Sequence, residues 1–530
     1  MNKQKKLFLI VFCVVSFFVS NVIAQHPNVQ IGGALNIYEP NEPSIGINPL
    51  NQDIMVTATN VDNVYLSTDR GLTWIHSRVS SPYGVHGDPC IVADNSGRFY
   101  FFHLAHNTSG PTGADRIVCQ HLDNPSASWS PGTYTGLNRV KLQDKEWAAV
   151  NPANNEIVVT WTQFDVYLST NPADSSNIYF SRSDDEGETW SNAVRINEVA
   201  GDCLDDDNTV EGAVPTFGPD GEIYVAWAGP LGIVFDRSTD SGNTWLQHDI
   251  FVSEIPGGWG FHVPGITTNW CNGLPVTACD ISPGPYRGRI YINWSDQRKG
   301  TTDTDIWMVF STDGGDTWSS PPIRVNNDSH RSHQFFTWMT VDQSDGTIYV
   351  VFYDRRAYDD NQTDVYLAVS KDGGATFTNQ KISETPFTPN ESVFFGDYTN
   401  IAAVNGVVRP VWARLDNTTY SIWTALIDTN KITGITEKVS DRPEFFKLIS
   451  IYPNPFNPIT TVKYQVPKLS YVTIEIYDVL GNEIASLVKE EKNAGTYEVT
   501  WSAGNFPSGI YFCKLKSGEF VEIKKVVLLK

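Results

Sequence analysis

Short runs in which apolar and polar residues alternate recur along most of the chain, and clusters of Gly, Pro, Asn and Asp separate them. A period of two puts one side of an extended strand into a core, and the turn residues end each strand after a few positions. No stretch carries the longer period of an amphipathic helix. The easiest runs to align are Asp53-Ile-Met-Val-Thr57, Arg98-Phe-Tyr-Phe-Phe102, Glu156-Ile-Val-Val-Thr-Trp161, Glu222-Ile-Tyr-Val-Ala-Trp227, Arg289-Ile-Tyr-Ile-Asn-Trp294, Thr347-Ile-Tyr-Val-Val-Phe352 and Val407-Val-Arg-Pro-Val-Trp412. They begin 45 to 67 residues apart, the length of a four-stranded unit with loop insertions.

Inside these units one phrase returns: Ser67 to Trp74, Ser183 to Trp190, Ser238 to Trp245, Ser311 to Trp318 and Ser370 to Phe377, each Ser-x-Asp-x-Gly-x-Thr-aromatic. The carboxylates of Asp69, Asp185, Asp240, Asp313 and Asp372 can accept bonds within their own turn, and the glycine supplies a positive φ. Each copy reads as a self-contained hairpin turn. The phrase resembles the Asp box of the sialidase and BNR-repeat superfamily. That resemblance implies an all-β propeller, with the box a structural turn between the third and fourth strands of a blade, away from the ligand face. Seven units favour seven blades, with a six-bladed ring and one degenerate unit as the alternative. Asn28 to Ile31 is similar to the outer strands at Val194 and Ile323 and is expected to close the ring.

The chain has 530 residues, and 12% aromatic content with 40 Gly and 30 Pro fits an all-β protein rich in turns. A formal charge of -22 argues against a nucleic-acid partner, which needs a basic surface. Lys3, Lys5 and Lys6, the apolar run Leu7 to Val19 and Val22-Ile23-Ala24 have the layout of a secretory signal over residues 1–24, leaving no membrane-spanning stretch after cleavage. Cys90, Cys119, Cys203, Cys271, Cys279 and Cys513 then remain, an even number that permits disulfides, with Cys271 and Cys279 close enough in sequence to bridge.

After the propeller, expected over residues 25–427, a polar linker at 428–447 leads to a different pattern over 448–530. Tyr452-Pro-Asn-Pro-Phe-Asn-Pro458, Val472 to Gly481, Gly495-Thr-Tyr497, Ser508 to Tyr511 and Lys524 to Lys530 alternate with period two between turn glycines, as in a small Ig-like β-sandwich. The segment closely resembles the C-terminal sorting domain of type IX secretion cargo. The resemblance implies export from a Gram-negative-type bacterium, with the type IX machinery as partner and the protein secreted or at the outer cell surface.

Propellers bind ligands where the loops entering the inner strands and leaving the second strands gather around the axis. On the leaving loops, Asp296 and Arg298 in Trp294-Ser-Asp-Gln-Arg298 are echoed by Asp354 and Arg356 in Tyr353-Asp-Arg-Arg356. A guanidinium beside carboxylates can hold an anionic group bidentately or brace its own loop, which makes these four the candidate substrate-binding residues. The entering strands contribute Asp88, Asp144, Glu146, Glu211 and Tyr398. By resemblance to sialidases, Tyr398 would be the nucleophile, Glu211 its base and Asp88 the acid, with three arginines on the substrate carboxylate. The stretch that would carry the first clamp arginine, Glu42-Pro-Ser-Ile-Gly46, has none.

The loop Asp202-Cys-Leu-Asp-Asp-Asp207 concentrates the hard oxygen ligands of a structural Ca2+ site without EF-hand spacing. No cofactor fingerprint is present, and none is expected. The expectation is an exported sialidase-like propeller with a carbohydrate-related role, binding a glycan or surface ligand. The alternative is a glycoside hydrolase acting on terminal acidic sugars.

Overall fold

A computed structural model describes residues 26–35, 39–106, 113–266, 271–329, 331–416, 418–429, 446–492, 495–518 and 520–530. The expected signal segment and most of the expected linker lie outside them. Two compact units divide the chain, residues 1–430 and 431–530. Among the described residues no helix is long and apolar enough to cross a membrane.

The first unit is built mainly of four-stranded antiparallel sheets, and in all but the last of them the strands follow in chain order. Their innermost strands are Ser44–Ile47, Cys90–Ala93, Leu142–Val150, Glu211–Phe217, Val276–Cys279, Gln334–Asp342 and Asn400–Val404. Each innermost strand packs against the next, and Asn400–Val404 returns to Ser44–Ile47, so the sheets close a ring. The last sheet takes its outer strand from the start of the unit: Asn28–Gly33 pairs antiparallel with Thr419–Ala425, from Asn28 opposite Ala425 to Gly33 opposite Ser421. A further short strand, Ile427–Asp428, bridges Val407–Asp416.

The second strands explain the sequence pattern. Ile157–Phe164, Ile223–Gly229, Ile290–Asp296 and Thr347–Asp354 are buried along their whole length, because each sheet lies between two neighbours and both of its faces are core. Trp161, Trp227, Trp294 and Trp412 end equivalent runs, and all four are fully buried.

The boxes fold as their residues dictate. In Ser183 to Trp190 the Ser183 hydroxyl donates to Asp185 (2.8 Å) and accepts the Gly187 amide (2.9 Å), while Asp185 accepts the Thr189 amide (2.8 Å) and hydroxyl (2.6 Å). Asp69, Asp240, Asp313 and Asp372 repeat this arrangement. The Thr244 hydroxyl, then its amide, hold the Asp240 carboxyl down to about 2.

The second unit is a sandwich of two sheets. One contains Lys447–Tyr452, Ile459–Val466 and Gly495–Ser502; the other contains Ser470–Tyr477, Glu483–Lys492, Gly509–Ser517 and Phe520–Leu528. Alternate residues of Ser470–Tyr477 point inward, and Ile474, Ile476, Trp501, Leu515 and Val526 form the core.

All six cysteines of the described residues are free and buried. The bridge open to Cys271 and Cys279 does not form. Cys271 pairs with Phe261 in a two-stranded hairpin, whereas Cys279 lies opposite Ile290 in a separate sheet.

Candidate functional site

Ser44, Cys90, Trp147, Val214, Val276, Trp338 and Asn400 line an axial cavity of about 320 Å³. Two residues before each stand Glu42, Asp88, Lys145, Gly212, Leu274, Phe336 and Tyr398. These equivalent positions surround the mouth of the ring opposite the boxes, because the strands entering there run away from that face. The backbone is left-handed at Glu42 (φ 49), Asp88 (φ 52), Lys145 (φ 50) and Phe336 (φ 48), all residues with a Cβ. Such strain persists only where the surroundings impose it, and it gathers at functional sites.

The left-handed residues and the bulges beside them, between Asp144 and Trp147 and between Glu211 and Val214, turn charged side chains toward the axis. Glu42, Glu146, Glu211 and Tyr398 form a buried floor. Asp88, Asp144, Lys145, Asp205 and Asp397 form a half-buried rim. On that rim Tyr167, 41% exposed, donates its hydroxyl to Asp205 (2.6 Å).

Among the described residues, Lys145 is the main cation acting on the floor. Its ammonium lies 2.5 Å from Asp397 and 3.9 Å from Asp88. Burial works to lower its pKa, but Asp397, Asp88, Glu42 and Asp144 outweigh that and hold it well above the ordinary lysine value. Glu42 accepts the Asp397 amide (3.1 Å) and a bond from the Asn60 side chain.

Burial pushes the carboxyls of Glu42, Asp144, Glu146 and Glu211 well above the usual carboxylate range. Neighbouring acids push the same way, Asp88 on Asp144 and Glu146, and Asp205 on Glu211. Between facing carboxyls such as Glu211 and Asp205, only a shared proton can make a bond.

Tyr398 packs on Trp147 (ring centroids 5.1 Å apart), and Trp147 packs on Trp338 (4.2 Å). The three rings separate the acidic basin from the axial cavity. Beneath the rim, Lys145, Asn272, Phe336, Trp338 and Tyr398 help to enclose about 30 Å³, room for one water-sized group. The Tyr398 hydroxyl is buried with no hydrogen-bond partner among the described residues.

Of the candidate catalytic residues, the structure brings Tyr398, Glu211 and Asp88 to this one basin without bonding Tyr398 to Glu211. The acids acting on the Tyr398 hydroxyl are Glu42, Asp88 and Glu146, and burial followed by Glu42 and Asp88 pushes it well above the usual phenol range. The four leaving-loop residues are engaged with one another. Arg298 donates to both oxygens of Asp296 (2.9 and 2.5 Å) and lies over the Trp307 ring. Arg356 donates to Asp354 (2.8 Å) and Asn379 (3.1 Å) and lies over Tyr366. Both aspartates are fully buried.

In the acidic loop, Asp202 accepts from Leu204 and Thr209, Asp205 from Tyr167, Asp206 from Asn208 and Asp207 from Gly260. Its carboxyls diverge, and no group of three or more His, Cys, Asp or Glu side chains fit to hold a metal ion occurs among the described residues. Sequence reasoning passed over Lys145, Glu42, Asp205, Asp397 and Trp338 as site residues. The one signal within reach was positional: four of the five sit on or beside the entering strands.

Ring and blade-like sheets define an all-β propeller. Residues 450–529 match the family model of the secretion system C-terminal sorting domain, and the C-terminal sandwich belongs to that family. The protein is thereby directed through type IX secretion to the cell surface or beyond.

An endo-acting ulvan lyase of Formosa agariphila is 28% identical over 135 residues, a match spanning 26% of this chain and 22% of that relative. Among solved structures, a PL25 ulvan lyase bound to -[GlcA(1-4)Rha3S]- is 14% identical (TM-score 0.45, 76% of this chain and 96% of that one). Hadza microbial sialidase Hz136 is 15% identical (TM-score 0.40, 70% and 73%). Penicillium chrysogenum alpha-L-arabinanase complexed with arabinobiose is 13% identical (TM-score 0.42, 76% and 98%). At these levels of similarity no chemistry carries over.

Proposed function

We propose that the propeller unit is a glycan-binding module that works outside the cell, with the acidic basin as its site. The observation that carries this reading is the buried Tyr398 hydroxyl, left without a partner beside the Trp147 and Trp338 rings. A buried polar group without a partner costs about 1–3 kcal/mol, which a ligand hydroxyl recovers on binding. Sugars present hydroxyls at their edges and C–H groups on their faces, matching buried carboxyls and tyrosine on one side and aromatic rings on the other.

Binding is favoured over turnover because a tyrosine nucleophile must ionise, and burial with Glu42 and Asp88 opposes that. Glycoside hydrolysis is the second reading. One observation favours it: burial pushes the carboxyls of Asp144, Glu146 and Glu211 upward, the direction a general acid requires.

The test is a glycan array probed with the full chain, followed by a reducing-end assay on every glycan retained. Retention without product, weakened in Tyr398→Phe, is the expected result. Product release that Glu146→Gln or Glu211→Gln abolishes would establish the hydrolase instead. Silence across the array would remove the glycan reading.

A further inference from the structure

The basin's charge and its free volume restrict what can enter it. Its floor and rim gather Glu42, Asp88, Glu146, Glu211 and Asp397 around the Lys145 ammonium, the one cation among the main influences on Glu42, Glu146, Glu211 and Tyr398. That ammonium is already engaged, 2.5 Å from Asp397. The two arginines of the leaving loops are engaged with Asp296 and Asp354. A carboxylate or sulfate would therefore enter a poorly solvated space beside the Asp88 and Asp397 carboxylates, where the described residues offer no cation that is not already engaged by them. The cavity beneath the rim, about 30 Å³, has room for a hydroxyl and not for either anion with its hydration. The Tyr398 hydroxyl, whose residue lines that cavity, is at least nine-tenths buried without a partner among the described residues and is suited to exchanging hydrogen bonds with an alcohol.

We propose that the basin takes the hydroxyl-bearing edge of a saccharide unit that carries no carboxylate or sulfate. One hydroxyl descends to Tyr398, and the ring rests on the rim beside the exposed Tyr167. The inference rests on the glycan-binding reading and specifies its ligand class.

The test compares two sets of probes on the full chain by calorimetry and by the fluorescence of the buried tryptophans. The neutral set is arabino-, xylo- and cello-oligosaccharides. The acidic set is sialyllactose, oligogalacturonate and -[GlcA(1-4)Rha3S]- oligosaccharides. A neutral probe is expected to bind at least about tenfold more tightly than any acidic one, the discrimination that like-charge juxtaposition supplies. Tyr398→Phe is expected to weaken that binding. Asp397→Asn, which releases Lys145, is expected to narrow the gap by admitting acidic probes.

Acidic probes that bind as tightly as the neutral ones, and lose affinity in Lys145→Gln, would overturn the inference while leaving the glycan reading in place. Neutral binding indifferent to Tyr398→Phe would put the sugar elsewhere and overturn it too. Silence in both sets would overturn the glycan reading, and the inference with it.

Discussion

The Lys145 ammonium reaches the carboxylate of Asp397, a residue 252 positions later in the chain, at 2.5 Å. Lys145 lies on the innermost strand of the third sheet of the ring and Asp397 just precedes that of the last, so the ion pair spans the mouth of the propeller. It balances part of an acidic basin whose main cation among the described residues is Lys145. Asn272 fastens the same strand entry by donating to the Asp397 carbonyl (2.8 Å).

Lys145→Met is expected to destabilise the propeller strongly. Both partners are mostly buried, and removing one member of a buried pair costs about 3–5 kcal/mol because the other charge is left uncompensated. Urea denaturation of the full chain measures this, and Asp397→Asn in the same background should restore part of the loss. A loss below about 1 kcal/mol, the range of an exposed pair, would mean that the ammonium is dispensable.

Stability should fall as pH rises from mildly acidic values. Glu42, Asp144, Glu146 and Glu211 have folded pKa values raised above their unfolded ones, so between the two the native state binds more protons. Unfolding free energy then declines with pH. Asp236, pushed by burial up to about 7, and Asp249, pushed up by burial to about 6, act in the same direction. The box aspartates act oppositely: Asp240 and Asp313, held near about 2, contribute stability that is lost as pH falls from the ordinary aspartate value toward 2. Melting temperatures across this range should peak in mild acid. Glu146→Gln with Glu211→Gln should flatten the alkaline side, and an unchanged slope would refute the assignment.

The box turns should tolerate little change at two positions. Ser183→Ala removes a buried hydroxyl that serves both Asp185 and the Gly187 amide, and is expected to cost about 1–3 kcal/mol in urea denaturation. Gly242 has φ 78, and a Cβ there would stand 2.3 Å from the Phe180 ring, so Gly242→Ala should destabilise more than an alanine at an exposed turn position. Melting temperatures equal to wild type in both variants would show that the turns are not what holds the outer strands.

Removal of residues 450–529 should keep the protein in the cell. The sorting-domain family assignment rests on that segment alone, so the shortened chain is expected in the cell-associated fraction and the full chain at the surface or in the medium. Immunoblots of the two fractions decide it.

Much of the architecture was legible because it repeats locally. A box such as Ser311 to Trp318 satisfies its own polar groups within the turn, so its residues reveal it without any partner. The runs ending in Trp161 and Trp294 are apolar throughout because neighbouring sheets cover both faces, and that too is written in consecutive letters.

The site was only half legible. Asp88, Glu211 and Tyr398 stood out as polar residues on entering strands, and all three reach the basin. The bond between Tyr398 and Glu211 that the sialidase resemblance implied is absent, because the acids facing the phenol come from other sheets. The Arg298 and Arg356 forks had two readings in sequence, and the partners they meet in the fold are Asp296 and Asp354, two residues away.

The order of letters alone determined the strand-and-turn grammar, the recurring unit and the separate export module, since each depends on interactions within a few dozen residues. Only the closed ring decided which acids share a basin, that Lys145 is engaged by Asp397, and that Trp147 meets Trp338. These relationships join strands hundreds of residues apart, and their energies come from burial and charge in a space that exists only after the sheets have met.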